Sequence, residues 1–341
     1  MNTPLLELRA VSKRFVKPLD FAARLGNVFG AGQREEVVHA VDGVSLAIAP
    51  GEVVGLVGES GCGKSTLGRM AVGLHTLSAG ERFLRGENVA ALQARLSRAE
   101  YRRQMLGIQM IFQDPYASLN PRLRVRDIVG EAPVAHGLIA RNEQDDYVAG
   151  LLSKVGLDAA FMRRYPHQFS GGQRARIGIA RALAVKPEFL VCDEAVAALD
   201  VSIQAQVLNL FIALRDELKL TYLFISHDLG VVRHLSDRVV IMYLGRVVES
   251  APADAVFATP NHPYTQALLA EAPTLEVRKK TFVAIKGELP SPLAPPSGCH
   301  FHPRCPHAMQ RCKDETPALR EIAAGWSSAC HLNDESNCYE R

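Results

Sequence analysis

The apolar residues of this chain fall in short runs, none approaching the roughly 20 residues that cross a bilayer. Val41–Ile48, Val53–Val57, Leu190–Cys192, Tyr222–Ile225 and Val239–Met242 read as strands. Ser65–Leu74 reads as the helix that follows the second of them. Strands early and late, alternating with amphipathic helices, predict a layered α/β fold. Residues of about 90–180 read as mostly helical, with Pro115, Pro121, Pro133 and Pro166 as breakers. After about residue 257 the alternation stops. Pro260, Pro263, Pro273, Pro290, Pro292, Pro295, Pro296, Pro303 and Pro306 crowd a segment that reads as a separate, loop-rich module.

Between the run Val53–Val57 and its helix stands Gly58-Glu-Ser-Gly-Cys-Gly-Lys-Ser-Thr66. Gly58, Gly63, Lys64 and Ser65 match the phosphate-binding loop pattern in its strand–loop–helix setting. Glycines at 58, 61 and 63 let the backbone N–H groups from Glu59 through Thr66, Ser60 and Cys62 among them, approach phosphate oxygens. The helix N-terminus adds partial positive charge. Lys64 is expected to reach the β- and γ-phosphates, and the Ser65 hydroxyl to ligate Mg²⁺. This motif alone means a bound nucleoside triphosphate.

The second half of such a site is Phe189-Leu-Val-Cys-Asp-Glu194, an apolar run ending in two carboxylates. Asp193 fits coordination of Mg²⁺, and Glu194 fits a general base or an orienter of water. An Asp-Glu pair after a strand is more often a solvated strand end. Its weight here comes from its order relative to the loop and to Phe169-Ser-Gly-Gly-Gln173.

With those three segments the chain resembles the ATP-binding-cassette (ABC) ATPases over residues of about 5–257. The resemblance implies a P-loop NTPase with a layered core sheet and a helical subdomain at about 90–180. It implies that Gln113 senses Mg²⁺ and the attacking water and links to a transmembrane partner. Ser170, Gly171, Gly172 and Gln173 match the signature motif, which in the family contacts the γ-phosphate of ATP held by the opposite subunit. Leu199-Asp200 matches the end of the loop that crosses the dimer interface, and His227 matches the switch histidine. Phe15 is the best match for the aromatic that stacks on adenine, with core packing as its other reading. Phe21 and Phe29 are the fallbacks, because residues 16–36 read as an insertion. One position departs: Ala197 stands where the family carries Ser, so a hydroxyl that would bond across the interface is missing.

Composition adds exclusions. The 341 residues suffice for one large domain, residues 1–257, and a smaller one, 258–341. Lys and Arg total 39 against 36 Asp and Glu, a near balance with no electrostatic footprint for nucleic acid. Arg95, Arg98, Arg102 and Arg103 form a basic run that reads as a solvated helix face just before Gln113, with contact to a partner near the membrane surface as the other reading. The N-terminus lacks a signal segment, so the chain is expected in the cytosol, at the cytoplasmic face of the inner membrane. There its seven cysteines would be thiols or metal ligands rather than disulfides.

Asn261-His-Pro-Tyr-Thr-Gln-Ala-Leu-Leu269, Gly287-Glu-Leu-Pro-Ser-Pro292 and Cys299-His-Phe-His-Pro-Arg-Cys305 resemble the C-terminal extension of oligopeptide, dipeptide and nickel importer ATPases. Asp114–Pro121 and Asp200–Gln206 agree, and look more like the second ATPase of such transporters than the first. The resemblance implies an ATPase docked on two transmembrane permeases, paired with a second related ATPase and served by a solute-binding protein. Peptides lead as cargo, with nickel, glutathione, opines and oligosaccharides open. A soluble cassette acting on DNA or the ribosome is the reading from another class. Cys299, Cys305, Cys312 and Cys330 are separated by five, six and seventeen residues, which is not the two- to four-residue spacing of short zinc sites. The resemblance implies a [4Fe–4S] cluster on them. Zinc, with His300, His302, His307 or His331 as substitutes, and bare thiols are the alternatives.

Overall fold

The computed structural model describes residues 3–19, 27, 35–114, 117–271 and 287–334. Phe21, Phe29, Pro115, Pro273 and Cys338 lie outside the described residues. The strands are β1 (Leu6–Lys17), β2 (Glu36–Ile48), β3 (Val53–Val57), β4 (Ala79–Leu84), β5 (Glu87–Asn88), β6 (Ile108–Ile111), β7 (Phe189–Asp193), β8 (Thr221–Ile225), β9 (Arg238–Tyr243), β10 (Arg246–Pro252), β11 (Arg320–Ala323) and β12 (Trp326–Ser328). The helices are α1 (Lys64–Val72), α2 (Val89–Arg95), α3 (Arg98–Met105), α4 (Val125–Ala135), α5 (Gln144–Lys154), α6 (Gly171–Leu183), α7 (Val201–Leu218), α8 (Leu229–Leu235), α9 (Ala253–Ala258), α10 (Pro263–Glu271) and α11 (Gln310–Asp314).

Every residue of β3, β7 and β8 is buried, which is why these strands are nearly continuous apolar runs, broken only by Asp193 and Thr221 at strand ends. They lie in an eight-stranded sheet of order β11-β12-β10-β9-β3-β8-β7-β6. The pairs β9-β3, β3-β8, β8-β7 and β7-β6 are parallel. A second, antiparallel sheet of order β2-β1-β4-β5 shares an apolar layer with α1 and the first sheet. Helices α4, α5 and α6 pack with α7 in a separate layer around Phe211, which meets Tyr222 and Phe224 edge-on at 5.7 Å. The close pass of β3 under α8 depends on Gly55, where a Cβ would lie 2.4 Å from Val232 Cγ1.

The mostly helical block contains a strand. β6 pairs with β7 in register from Ile108 with Phe189 to Ile111 with Cys192. A run of four residues between helices carries too few positions for periodicity to separate strand from helix.

The C-terminal segment also joins the main sheet. β12 pairs antiparallel with β10, and β11 with β12. Glu249, fully buried on β10, accepts hydrogen bonds from the Asn261 N–H (2.9 Å), the His262 N–H (3.0 Å) and Trp326 Nε1 (2.8 Å). One carboxylate thus ties β10, the entry to α10 and β12. Tyr243, Tyr264 and Phe301 pack edge-on or tilted beneath, with centroids 4.7, 5.2 and 5.4 Å apart.

Candidate active site

Four neighbouring parallel strands deliver the candidate residues at their carboxyl ends. The phosphate loop follows β3, His227 follows β8, Asp193 and Glu194 stand at the end of β7, and Gln113 follows β6. Such an edge is where open α/β sheets bind ligands, because successive strand ends converge there.

The loop needs its glycines for two close approaches. A Cβ on Gly58 (φ 156°) would lie 2.1 Å from Met242 O, and on Gly63 (φ 104°) 2.1 Å from Ala40 O. Lys64 is 4 % exposed, and its Nζ donates to Gly58 O at 2.7 Å and Glu59 O at 2.9 Å. Ser65 Oγ donates to Asp193 Oδ1 at 2.7 Å. Burial pushes the Asp193 carboxyl above its ordinary range, while the Ser65 hydroxyl and Arg69 pull it down. Burial also pushes the Cys62 thiol up despite Lys64, so Cys62 packs as a neutral side chain.

Glu194 is held from both sides. Gln113 Nε2 donates to Glu194 Oε2 at 2.6 Å, and His227 Nδ1 lies 3.4 Å from Glu194 Oε1. Gln113 and Glu194, but not His227, border a cleft of about 360 Å³ lined by Phe15, Val38, Ala40, Ser60, Gly61, Gly63, Lys64, Ser65, Thr66, Gln113, Glu194 and Pro292. Phe15 is partly exposed there, edge-on to His75 at 5.4 Å and with Lys13 Nζ 5.2 Å from its ring centre. Sequence reasoning missed Val38, Ala40 and Pro292. Pro292 sat in a recognised segment, Gly287–Pro292, but nothing in its type pointed to the cleft, and its carbonyl accepts the His39 N–H at 3.1 Å.

Ser170, Gly171, Gly172 and Gln173 do not line this cleft. They open α6 as a capping box, the Ser170 N–H donating to Gln173 Oε1 at 3.1 Å and the Gln173 N–H to Ser170 Oγ at 3.4 Å. Gly172 permits the contact with α7, since a Cβ would lie 2.4 Å from Ile203 Cγ2. Ala197 is exposed in the turn after Glu194, its N–H donating to Glu194 O at 3.0 Å.

In the C-terminal segment the Cys299 N–H donates to Cys312 O at 2.8 Å, and Cys299 and Cys305 flank the aromatic cluster. Burial pushes Cys305 up to about 11 and Cys330 up to about 12, with smaller contributions from the neighbouring cysteines. Among the described residues no group of three or more His, Cys, Asp or Glu side chains is gathered tightly enough for a single metal ion. That arrangement gives no support to zinc, and none to the [4Fe–4S] cluster on Cys299, Cys305, Cys312 and Cys330. Among the described residues no helix is long and apolar enough to cross a membrane.

Comparison with known proteins bears on the whole chain. Residues 41–197 match the ABC transporter family, and residues 248–312 match the oligopeptide/dipeptide transporter C-terminal region. The oligopeptide transport ATP-binding protein AppF of Bacillus subtilis (strain 168) is 48% identical over 332 residues, 96% of this chain and 97% of its own. The dipeptide transport ATP-binding protein DppF of Haemophilus influenzae is 44% identical over 331 residues, covering 96% and 97%. Among solved structures, a dimeric post-hydrolysis state of the ATP-binding cassette MJ0796 bound to ADP and Pi matches 73% of this chain and 98% of its own. Its TM-score is 0.60 at 25% identity.

Proposed function

We infer, for a chain that belongs to the ABC transporter ATP-binding proteins of the oligopeptide/dipeptide branch, that it hydrolyses ATP at this cleft to drive peptide import. The observation that carries the reading is the Glu194 carboxylate, flanked by Gln113 and His227 over a cleft walled by Lys64 and Ser65. Lys64 and the loop amides from Ser60 to Thr66 hold the phosphates, the Glu59 N–H being taken by Tyr264 Oη, and Phe15 at the rim meets the base. Ser65 and Asp193 would hold Mg²⁺, whose charge there offsets that of the phosphates. Support comes from a buried carboxylate already bonded to a hydroxyl, an all-oxygen donor pair of the kind Mg²⁺ takes. Glu194 takes the proton of the attacking water, Gln113 orients the carboxylate, and His227 is the residue that would contact the γ-phosphate.

The signature residues Ser170 to Gln173 do not line this chain's own cleft, which is compatible with their use on ATP held by a second subunit. The chain works as a dimer on two transmembrane permeases at the cytoplasmic side of the membrane, with a second, related ATPase as its partner. A solute-binding protein feeds the complex. ATP-driven closure of the dimer shifts the permeases between states by binding, and hydrolysis resets them. The division into a cassette, 1–257, and an extension, 258–341, is functional in this reading, since the two parts share a sheet.

Cys299, Cys305, Cys312 and Cys330 would hold a [4Fe–4S] cluster, which when bound cross-links a segment poor in regular structure. Support comes from the nearness of the thiols, since Cys299, Cys305 and Cys312 each help push the Cys330 thiol up, although among the described residues the four are not gathered into a ready metal site. Iron and acid-labile sulfide in anaerobically purified protein test it, and a colourless, iron-free chain sinks it.

The import reading is tested by purifying the tagged chain from its native membranes and identifying its companions by mass spectrometry. Two permeases and a related ATPase are expected. Ribosomal or DNA-repair companions would overturn it, and recovery with no second ATPase would replace the heterodimer by a homodimer.

A further inference from the structure

The C-terminal segment holds the phosphate loop by side-chain contacts at Glu59. Glu59 presents its carboxylate to Arg304, whose Nη1 lies 3.0 and 2.9 Å from the two oxygens. The Arg304 side chain is 7% exposed and that of Glu59 22%, so solvent and salt screen the pair weakly. The Glu59 N–H donates to Tyr264 Oη at 2.9 Å, while the Glu59 carbonyl accepts from Lys64 Nζ at 2.9 Å. Glu59 therefore joins the lysine of the loop directly to two side chains from beyond residue 257. A second route runs parallel to it. His300 Nδ1 lies 3.0 Å from Leu244 O, and the adjoining Gly245 N–H donates to Cys62 O in the loop at 2.9 Å.

Arg304 is fixed in turn by the cysteine-bearing turn. The His302 N–H donates to Cys299 O at 3.0 Å, the Arg304 N–H to Phe301 O at 3.0 Å and the Cys305 N–H to His302 O at 3.4 Å. We propose that Arg304 is a positioning residue for the phosphate-binding loop, through which the turn between Cys299 and Cys305 sets nucleotide affinity. The proposal rests on the reading of Gly58–Thr66 as the ATP loop.

The test is a double-mutant cycle on the full 341-residue chain, reading Mg-ATP affinity by displacement of a fluorescent ATP analogue and folding by thermal melts. Arg304→Gln and Glu59→Gln are each expected to weaken affinity about tenfold, with kcat less affected, because the loop rather than the base is disturbed. The double variant is expected to be no weaker than either single one. Either folded single variant with wild-type affinity, or losses that simply add, would overturn the proposal. Should Arg304→Gln fail to fold, Glu59→Gln alone decides in the same way. Lys64→Ala run in parallel must lose the analogue. If it does not, the ATP-loop reading fails, and the failure is separable from that of Arg304.

Discussion

Glu194 and Gln113 meet side chain to side chain at 2.6 Å, although 81 positions separate them in the chain. The parallel pairing of β6 with β7 brings them there, since Gln113 follows one strand and Glu194 the other. Glu194 has φ 47°, a left-handed conformation that costs a residue with a Cβ about 1–2 kcal/mol. Its N–H donates to Ile225 O at 3.0 Å, at the end of β8, which holds the chain in that conformation. The strain turns the carboxylate off the sheet edge and into the cleft.

Glu194→Gln keeps the shape and an acceptor for Gln113 but removes the base. ATP hydrolysis is expected to fall by about 10²-fold or more, while ATP binding persists. Phosphate release together with retention of labelled nucleotide measures both. Normal hydrolysis by this variant would place the base elsewhere.

Two glycines of the phosphate loop separate close approach from backbone preference. Gly63→Ala drives a Cβ to 2.1 Å from Ala40 O, whereas Gly61→Ala, at φ 80°, meets nothing within 4 Å. Gly61→Ala is expected to cost about 1–2 kcal/mol, the left-handed penalty alone. Gly63→Ala adds a backbone clash and is expected to lower the Tm further and to lose ATP binding. Equal melting temperatures for the two variants would show that Ala40 can give way.

The phosphate loop, Asp193-Glu194 and the buried strands were legible because each is written in adjacent residues. The loop pattern occupies eight consecutive positions, β3 is apolar throughout, and β7 and β8 are apolar but for Asp193 and Thr221 at their ends. The placement of Gln113, Ser170 and His227 came from resemblance, and only sheet order brings Gln113 and His227 to Glu194. Neither β6 nor the β11–β12 hairpin carries enough residues to show a period. The Arg304–Glu59 pair spans 245 positions, and no local signal marks such a contact. A charged residue in a proline-rich stretch is usually solvated, so its partner emerges only from packing.

Asp193→Asn is expected to stabilise the chain while disabling it. Burial raises the folded-state pKa of Asp193, so between its unfolded value and that raised value the folded state binds more protons. Stability from this group therefore declines as pH rises through the window, and the penalty is fully present above it. Asparagine removes the penalty and keeps an acceptor for Ser65. A higher Tm for the nucleotide-free variant at neutral pH, with Mg²⁺-dependent hydrolysis lost, is the outcome. A lower Tm would mean that Arg69 and the Ser65 hydroxyl outweigh burial.

His262 gives the opposite sign. Wholly buried, it is pushed down to about 4, chiefly by desolvation, with a hydrogen bond to the Ala329 backbone opposing. Its Nδ1 accepts the Tyr264 N–H at 3.0 Å, so the ring is neutral and cannot take a second proton there without losing that bond. Glu249, whose carboxylate accepts the His262 N–H, is the charged side chain beside it. Between about 4 and 6.5 the unfolded chain binds the extra proton and the folded chain does not. Stability from this group is complete above 6.5 and declines as pH falls toward about 4, by about 3 kcal/mol in all. Trp326 is the only tryptophan and donates to Glu249, so its emission reports release of β12 from β10. Denaturant midpoints followed by that emission are expected to fall steeply from pH 6.5 to 4.5 in the native chain and less steeply in His262→Gln. Identical slopes would show that His262 is protonated in place and that the segment's acid sensitivity arises elsewhere.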